Sequence, residues 1–333
     1  MAQTERIERI TTLNFLFTCV IVMYHCSCFP NTTSSLDALL TEKITFVTNY
    51  LVIGSMCFFF FVSAFLLFNN LTYKSVPGKI KKRFFTLLFP YLIWQGLSLI
   101  VYFASGRYYL PMEIIEKTFL FKRFPLDGPL WYLYSIFLLS MLSPVFLFLF
   151  RNKKAGFVIL LILCYVTCFI AQNDKVTTLI KDRVLINVLS YMPAYLAGAY
   201  AGIHFPKLKE KDFIISVLLF LSISAVITIV FNRKFIIYAL RASFPAVLLF
   251  IYPERAAFKW KVFDLSFLMY AIHYPLFIVS SDFMLDILNK TGFYCSVLTI
   301  LSRVFYLAVT IGISWGINAL PLPNIKKMIT GGR

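Results

Sequence analysis

Acidic side chains are scarce in this 333-residue chain: 15 Asp and Glu stand against 32 Lys and Arg, and charged residues together make up only 14%. Soluble domains carry about 25%, so an ordinary cytosolic enzyme is excluded. Histidine is scarcer still, at three residues. The opposite excess excludes a disordered chain, because 60% of residues are apolar, 18% are aromatic and mean hydropathy is +0.80. Seven cysteines is an odd number, and Cys19, Cys57, Cys164 and Cys168 fall inside apolar stretches. They read as packing residues rather than a disulfide framework. A net charge of +17 would point to nucleic acid in a soluble chain. Here the basic residues cluster between apolar runs, so the better account is orientation in a lipid bilayer, with no nucleic-acid partner.

Runs of about 17–25 mostly apolar residues mark transmembrane helices. Ten are expected, at 12–30, 45–68, 84–104, 130–150, 156–172, 187–204, 213–231, 235–252, 263–281 and 295–320. The chain therefore reads as all-α, a polytopic membrane helix bundle of about ten spans. A single domain over residues 1–333 is expected, with no appended soluble domain. With the N-terminus inside, the inner segments hold 19 Lys and Arg with 6 acids, and the outer loops hold 11 with 9. This asymmetry places both termini in the cytoplasm, which an even number of spans satisfies. Residues 1–9 are polar and no small-x-small site follows the first apolar stretch, so no cleavable signal is expected. Ala194, Gly198 and Gly202 recur every four residues in the sixth span, a small-residue face that admits a close neighbour. The connection 105–129 is long for a loop without a role. Its segment 111–117 predicts a short interfacial helix, capping an outward-facing cavity.

An ionisable side chain inside a span costs about 2.5–3.5 kcal/mol to insert, which makes each one a candidate for function. His25 lies toward the outer end of the first span. A neutral imidazole can take a proton from a hydroxyl or carry an acyl group; the alternative is a histidine satisfied by a neighbouring backbone. A metal centre of His25, Cys26 and Cys28 is not expected, since the spacing is not a tetrahedral zinc pattern. Arg241 and Arg303, in the eighth and tenth spans, either line a channel or acceptor-binding cavity or reach the interface by snorkelling. His273 either joins that pathway or fixes the ninth helix at Pro275. Lys79, Lys81, Lys82 and Arg83 open the third helix, as topological anchors or as a basic mouth for a phosphorylated donor.

Five segments, in order, resemble the integral-membrane acyltransferase-3 family, which includes bacterial O-antigen and exopolysaccharide O-acetylases. Residues 14–25, closing on His25, are similar to its first helix, which ends in a functional histidine. Residues 58–67 (FFFFVSAFLL) resemble its Phe-Phe-x-x-Ser-Gly-Phe-Leu segment. The basic cluster 79–83 followed by Phe89-Pro90-Tyr91, then Gly128-Pro129-Leu130-Trp131-Tyr132-Leu133, and finally 266–275 (SFLMYAIHYP) match three further signatures. The resemblance implies a multi-pass protein of the bacterial plasma (inner) membrane. It would move an acyl group, expected to be acetyl from acetyl-CoA, to a hydroxyl of an extracytoplasmic or lipid-linked glycan. His25 is then the general base or acyl carrier, with Ser63, Trp131 and Tyr270 as oxyanion donors. Asn14, Lys79, Lys81, Lys82 and Arg83 would bind the donor, with acyl-CoA as co-substrate and no cofactor. Two positions depart from the pattern: Asn14 stands where the family usually has Arg, and Ala64 where it has Gly. An inactive family member is the alternative that Asn14 raises. A transporter or flippase of a polysaccharide precursor, using Arg241, His273 and Arg303, is disfavoured by the lack of an inverted repeat and of intramembrane carboxylates.

Overall fold

A computed structural model describes residues 2–119, 123–180, 182–205, 211–231, 235–251 and 260–332. The described residues form helices and turns, with no strand among them. The protein is a multi-pass membrane protein, as the lengths of its apolar helices show. Seven are long and apolar enough to cross a bilayer: Ser35–Phe68, Tyr73–Ala104, Lys153–Gln172, Val184–His204, Asp212–Phe231, Lys261–Lys290 and Cys295–Ala319. An eighth is bent by 57° between Gly128–Met141 and Ser143–Leu149. Pro144, in the first turn after the break, cannot donate to the preceding turn, and its ring clashes with the carbonyl four residues back. Two further apolar helices, Arg9–His25 and Phe235–Ile251, are shorter. Each of the ten expected spans thus has its helix, but seven or eight have the length to cross. Several cations counted for orientation, including Lys122, Lys181, Lys207, Lys209, Arg233, Lys234, Arg255, Lys259 and Arg333, lie outside the described residues.

Helix α1 (Ala2–His25) is followed by an irregular stretch and then by α2 (Ser35–Phe68). Ser34 caps α2 by accepting from the Asp37 amide at 3.2 Å. The Asp37 carboxylate in turn accepts from the amides of Cys295 and Ser296, at 2.9 and 2.8 Å. Those amides open α14 (Cys295–Ala319), where an anion satisfies unpaired donors and meets the positive end of the helix dipole. One carboxylate therefore ties the starts of two helices together.

The second half of α2 is buried around most of its circumference, with Phe58, Phe60, Phe61, Phe65 and Phe68 all at 1% exposure or less and Leu66, on the cavity side, left exposed. A helix apolar all round belongs at the centre of a bundle. Its closest partner is α10 (Arg183–His204). A Cβ on Gly198 would lie 2.2 Å from the Phe61 carbonyl oxygen, and one on Gly202 would lie 2.7 Å from that of Phe65. The small-residue stripe read from the sequence is thus the seam along which α10 meets α2.

The third span is longer than its apolar core. Helix α3 (Val76–Arg83) runs through a wide π-type turn, Phe84–Leu88, into α4 (Phe89–Ala104). The loop beyond holds α5 (Pro111–Phe119), the short helix expected there. It folds back on one face of α4: Tyr91 donates to the Thr118 carbonyl at 2.7 Å and Tyr102 to that of Leu126 at 3.0 Å. After α6 (Trp131–Met141) and α7 (Ser143–Leu149) come α8 (Lys153–Gln172), α9 (Asp174–Ile180) and, past α10, α11 (Lys211–Phe231) and α12 (Phe235–Ile251). Helices α13 (Ser266–Lys290), α14 and the short α15 (Pro323–Thr330) close the chain. All seven cysteines are free thiols.

Candidate functional site

A cavity of about 540 Å³ opens between α1, α2, α3, α6 and the start of α13. Asn14, Ser63, Lys82, Arg83 and Tyr270, separated by up to 256 positions in the chain, all line it. Thr11, Asn14 and Thr18 supply the α1 wall, spaced as one face of a helix. His25 lies eleven residues beyond Asn14, which rotates it only about 20° and raises it about 16 Å on an ideal helix. The histidine therefore continues the cavity face of α1, above the space itself.

Arg83 and Ser63 form a single unit. The guanidinium donates to the Ser63 hydroxyl oxygen at 2.6 Å and to the Ser63 carbonyl at 2.7 Å. This charge-assisted fork joins α3 to α2. It also fills an acceptor site of the hydroxyl and leaves the hydroxyl hydrogen free to turn into the cavity. The other proposed oxyanion donors are placed differently. The Tyr270 hydroxyl donates to the Pro129 carbonyl, although its ring lines the cavity. Trp131 lies off the lining, with its ring 6.0 Å from that of Phe60 and 6.1 Å from that of Tyr191. Lys82 lines the cavity, whereas Lys79 and Lys81 do not.

Above the cavity, aromatic rings step from Tyr270 to the histidine. The rings of Tyr270 and His273 are 6.0 Å apart, those of His273 and His25 are 5.5 Å apart, and Tyr274 stands edge-on to His25 at 5.9 Å. Arg303 approaches from the far side, donating to Ser27 at 2.8 Å and to Thr48 at 2.7 Å. Arg241 is placed on α12 instead, its guanidinium 5.1 Å from the Tyr238 ring. Arg303 and His273 thus gather around His25 by way of Ser27 and a ring contact.

Two parts of the site escaped the sequence reading. The chain's last turn is one: Gly331, at φ +68°, packs against the backbone of Thr86 and, with Gly332, walls the cavity. An extra Cβ at Gly331 would lie 2.7 Å from the Thr86 carbonyl oxygen. Short-range pattern carries no sign of such a distant partner.

Asp127 is the other. In Asp127-Gly128-Pro129 it reads as an ordinary turn residue, yet it is fully buried and neither carboxyl oxygen has a hydrogen-bond partner. Gln95 accepts from the Leu126 amide at 2.9 Å and from the Asp127 amide at 3.4 Å, holding this turn against α4. Gly128 lets the turn pack closely there, since a Cβ would lie 3.2 Å from the Tyr274 ring, which would have to shift slightly. Burial without a donor pushes the Asp127 carboxyl well above the ordinary carboxylate range. The folded protein then holds this proton more tightly than the unfolded chain does. The stability associated with Asp127 is greatest below about pH 4 and falls as pH rises toward the folded value. Asp127→Asn, which has no proton to lose, is expected to raise the melting temperature in detergent at neutral pH and leave it nearly unchanged at about pH 4. Melting curves that keep the wild-type pH slope in the variant would contradict this.

No curated protein and no solved structure matches the chain. A family model does: Acyl_transf_3, described as an acyltransferase domain, matches residues 7–319, a range that includes α1 from Ile7 onward, the Arg83–Ser63 pair, Asp127 and both ring-paired histidines. The chain therefore belongs to the acyltransferase-3 family and is a membrane acyltransferase.

Proposed function

We propose that the protein is a membrane O-acyltransferase of the bacterial inner membrane. It moves an acyl group, acetyl as the first choice, from cytoplasmic acyl-CoA to a hydroxyl of an extracytoplasmic or lipid-linked glycan. The supporting observation is the convergence of the Asn14 face of α1, the Arg83–Ser63 fork and Lys82 on one cavity, in a chain matched to an acyltransferase domain over most of its length. Lys82 and Arg83 meet the phosphates of the donor at the mouth, and the acyl thioester points along α1 toward His25.

In this reading a ring nitrogen of His25 takes the proton of the acceptor hydroxyl as its oxygen bonds to the thioester carbonyl carbon. The carbonyl oxygen gains negative charge, which a hydrogen-bond donor beside His25 must meet, whereas Ser63, bonded to Arg83, serves the cavity mouth. The carbon–sulfur bond then breaks, and the departing thiolate of CoA receives the proton from His25. Acyl-imidazole formation at His25, followed by attack of the hydroxyl, uses the same groups in two steps. Asn14, uncharged, lines the cavity.

The test is transfer of radiolabelled acetyl from acetyl-CoA to the lipid-linked and glycan fractions of membranes containing the protein. Lys82→Glu is expected to raise KM for acetyl-CoA about tenfold with kcat nearly unchanged, because a lost phosphate contact is paid mainly in ground-state binding. Membranes in which neither acetyl-CoA nor a longer acyl-CoA donates label to any acceptor would refute the assignment.

A further inference from the structure

We propose that His273 positions His25, accepting a hydrogen bond from one ring nitrogen and leaving the opposite nitrogen as the reactive lone pair. The inference begins with the tautomer. The Nδ1 atom of His273 lies 3.2 Å from the Met269 carbonyl oxygen, which can only accept. Nδ1 therefore carries the proton, and Nε2 is an acceptor. That Nε2 is buried and has no hydrogen-bond partner, although His273 is completely shielded. A buried acceptor without a donor is unfavourable and rare.

The donor within reach is His25. Its ring centre is 5.5 Å from that of His273, with the planes tilted by 44°. Two imidazoles joined through one N–H···N bond of about 3 Å have centres about 5 Å apart. A small rotation of the half-buried His25 ring closes the contact. Catalytic hydrogen bonds are often long before substrate binds. The backbones are held in register as well, since the Cys26 thiol donates to the His273 carbonyl at 3.5 Å.

The structure also speaks against the helix-fixing role that the sequence raised. Pro275 has no N–H, so the carbonyl it leaves unpaired is that of Ala271, four residues back. His273 instead bonds to Met269. Its side chain thus does nothing for the proline gap, while its second nitrogen faces a histidine on another helix.

The catalytic meaning of this contact rests on the acyl-transfer reading, but its test does not. Diethyl pyrocarbonate carbethoxylates unprotonated imidazole nitrogen, and the chain has only three histidines. His204, half-buried and 2.7 Å from the Phe150 carbonyl, serves as internal reference. The rate at His25 relative to His204 is measured by peptide mass spectrometry on the purified protein in detergent. His273→Phe fills the volume and supplies no acceptor; His25 is expected to react about tenfold more slowly. His273→Gln, which returns an acceptor oxygen near the Nε2 position, is expected to restore most of the rate. The same order is expected in kcat for acetyl transfer, with KM for acetyl-CoA unchanged. If the Phe variant misfolds, seen as a changed His204 rate, His273→Leu against His273→Gln makes the same comparison. Equal His25 rates in wild type and the apolar variants, or a His25 inert in the wild type, would overturn the proposal. Persistent acetyl transfer by His25→Ala would overturn the catalytic role of His25 and leave the ring contact itself to the carbethoxylation rates.

Discussion

His25→Ala is expected to lower acyl transfer by about 10²–10⁴-fold while leaving the protein inserted and folded. The loss follows from the chemistry: no other side chain along the cavity face of α1 can take a hydroxyl proton near neutral pH. Thr11, Asn14 and Thr18 are not bases, and Thr18 is already committed to the Asn14 carbonyl at 2.7 Å. Folding is largely spared because the half-buried His25 ring makes no hydrogen bond among the described residues in the resting structure, and the only acceptor its loss would leave unserved is His273 Nε2. The measurement is acylation of the lipid-linked glycan fraction at matched membrane abundance. Undiminished transfer would remove His25 from the chemistry altogether.

Gly198→Val is expected to have the largest effect on the fold. The Phe61 carbonyl oxygen, carbonyl carbon and Cα would lie 2.2, 2.9 and 2.9 Å from the first side-chain carbon. All three are backbone atoms of another helix, so no rotamer change can make room. Overpacking of a core costs about 1–3 kcal/mol when side chains can shift, and more when they cannot. Membrane helices associate through such close packing, without hydrophobic expulsion from water to compensate. The variant should be lost from membranes or elute as aggregate in detergent. Gly96→Ala is the control: nothing lies within 4 Å of a Cβ there, and replacing a helical Gly by Ala is worth up to about 1 kcal/mol in favour of the helix. If Gly198→Val eluted as the wild type does, the α2–α10 seam described above would be wrong.

The difference between those two glycines shows where pattern stops. The four-residue spacing of Ala194, Gly198 and Gly202 was enough to expect a close helix contact, but not to say with which helix. Likewise, the aromatic run 58–61 read as one more membrane segment, and only packing shows it to be the central rod of the bundle. The spans expected at 130–150 and 263–281 were legible from apolar length. The 57° break after Met141 and the continuation of the latter helix to Lys290 were not, because both depend on what the chain packs against.

The candidate site divides in the same way. His25, Asn14, Ser63, Arg83 and Tyr270 were recognisable as residue types out of place in lipid or set in ordered motifs. Their convergence was invisible, since Arg83 reaches back across 20 residues to Ser63 and Tyr270 across 141 to Pro129. Asp127 was missed because an acid beside Gly-Pro has the composition of a solvated turn; its isolation is conferred by α4 and α13 folding over it. Helical spans, their approximate limits and the scarcity of charge inside them follow from residue chemistry alone, because each helix meets its backbone hydrogen bonds internally and each apolar run must match lipid. Which polar groups share a cavity, which hydroxyl hydrogen stays free and which imidazole nitrogen lacks a partner are decided by contacts between helices far apart in the chain, and those exist only once the bundle has closed.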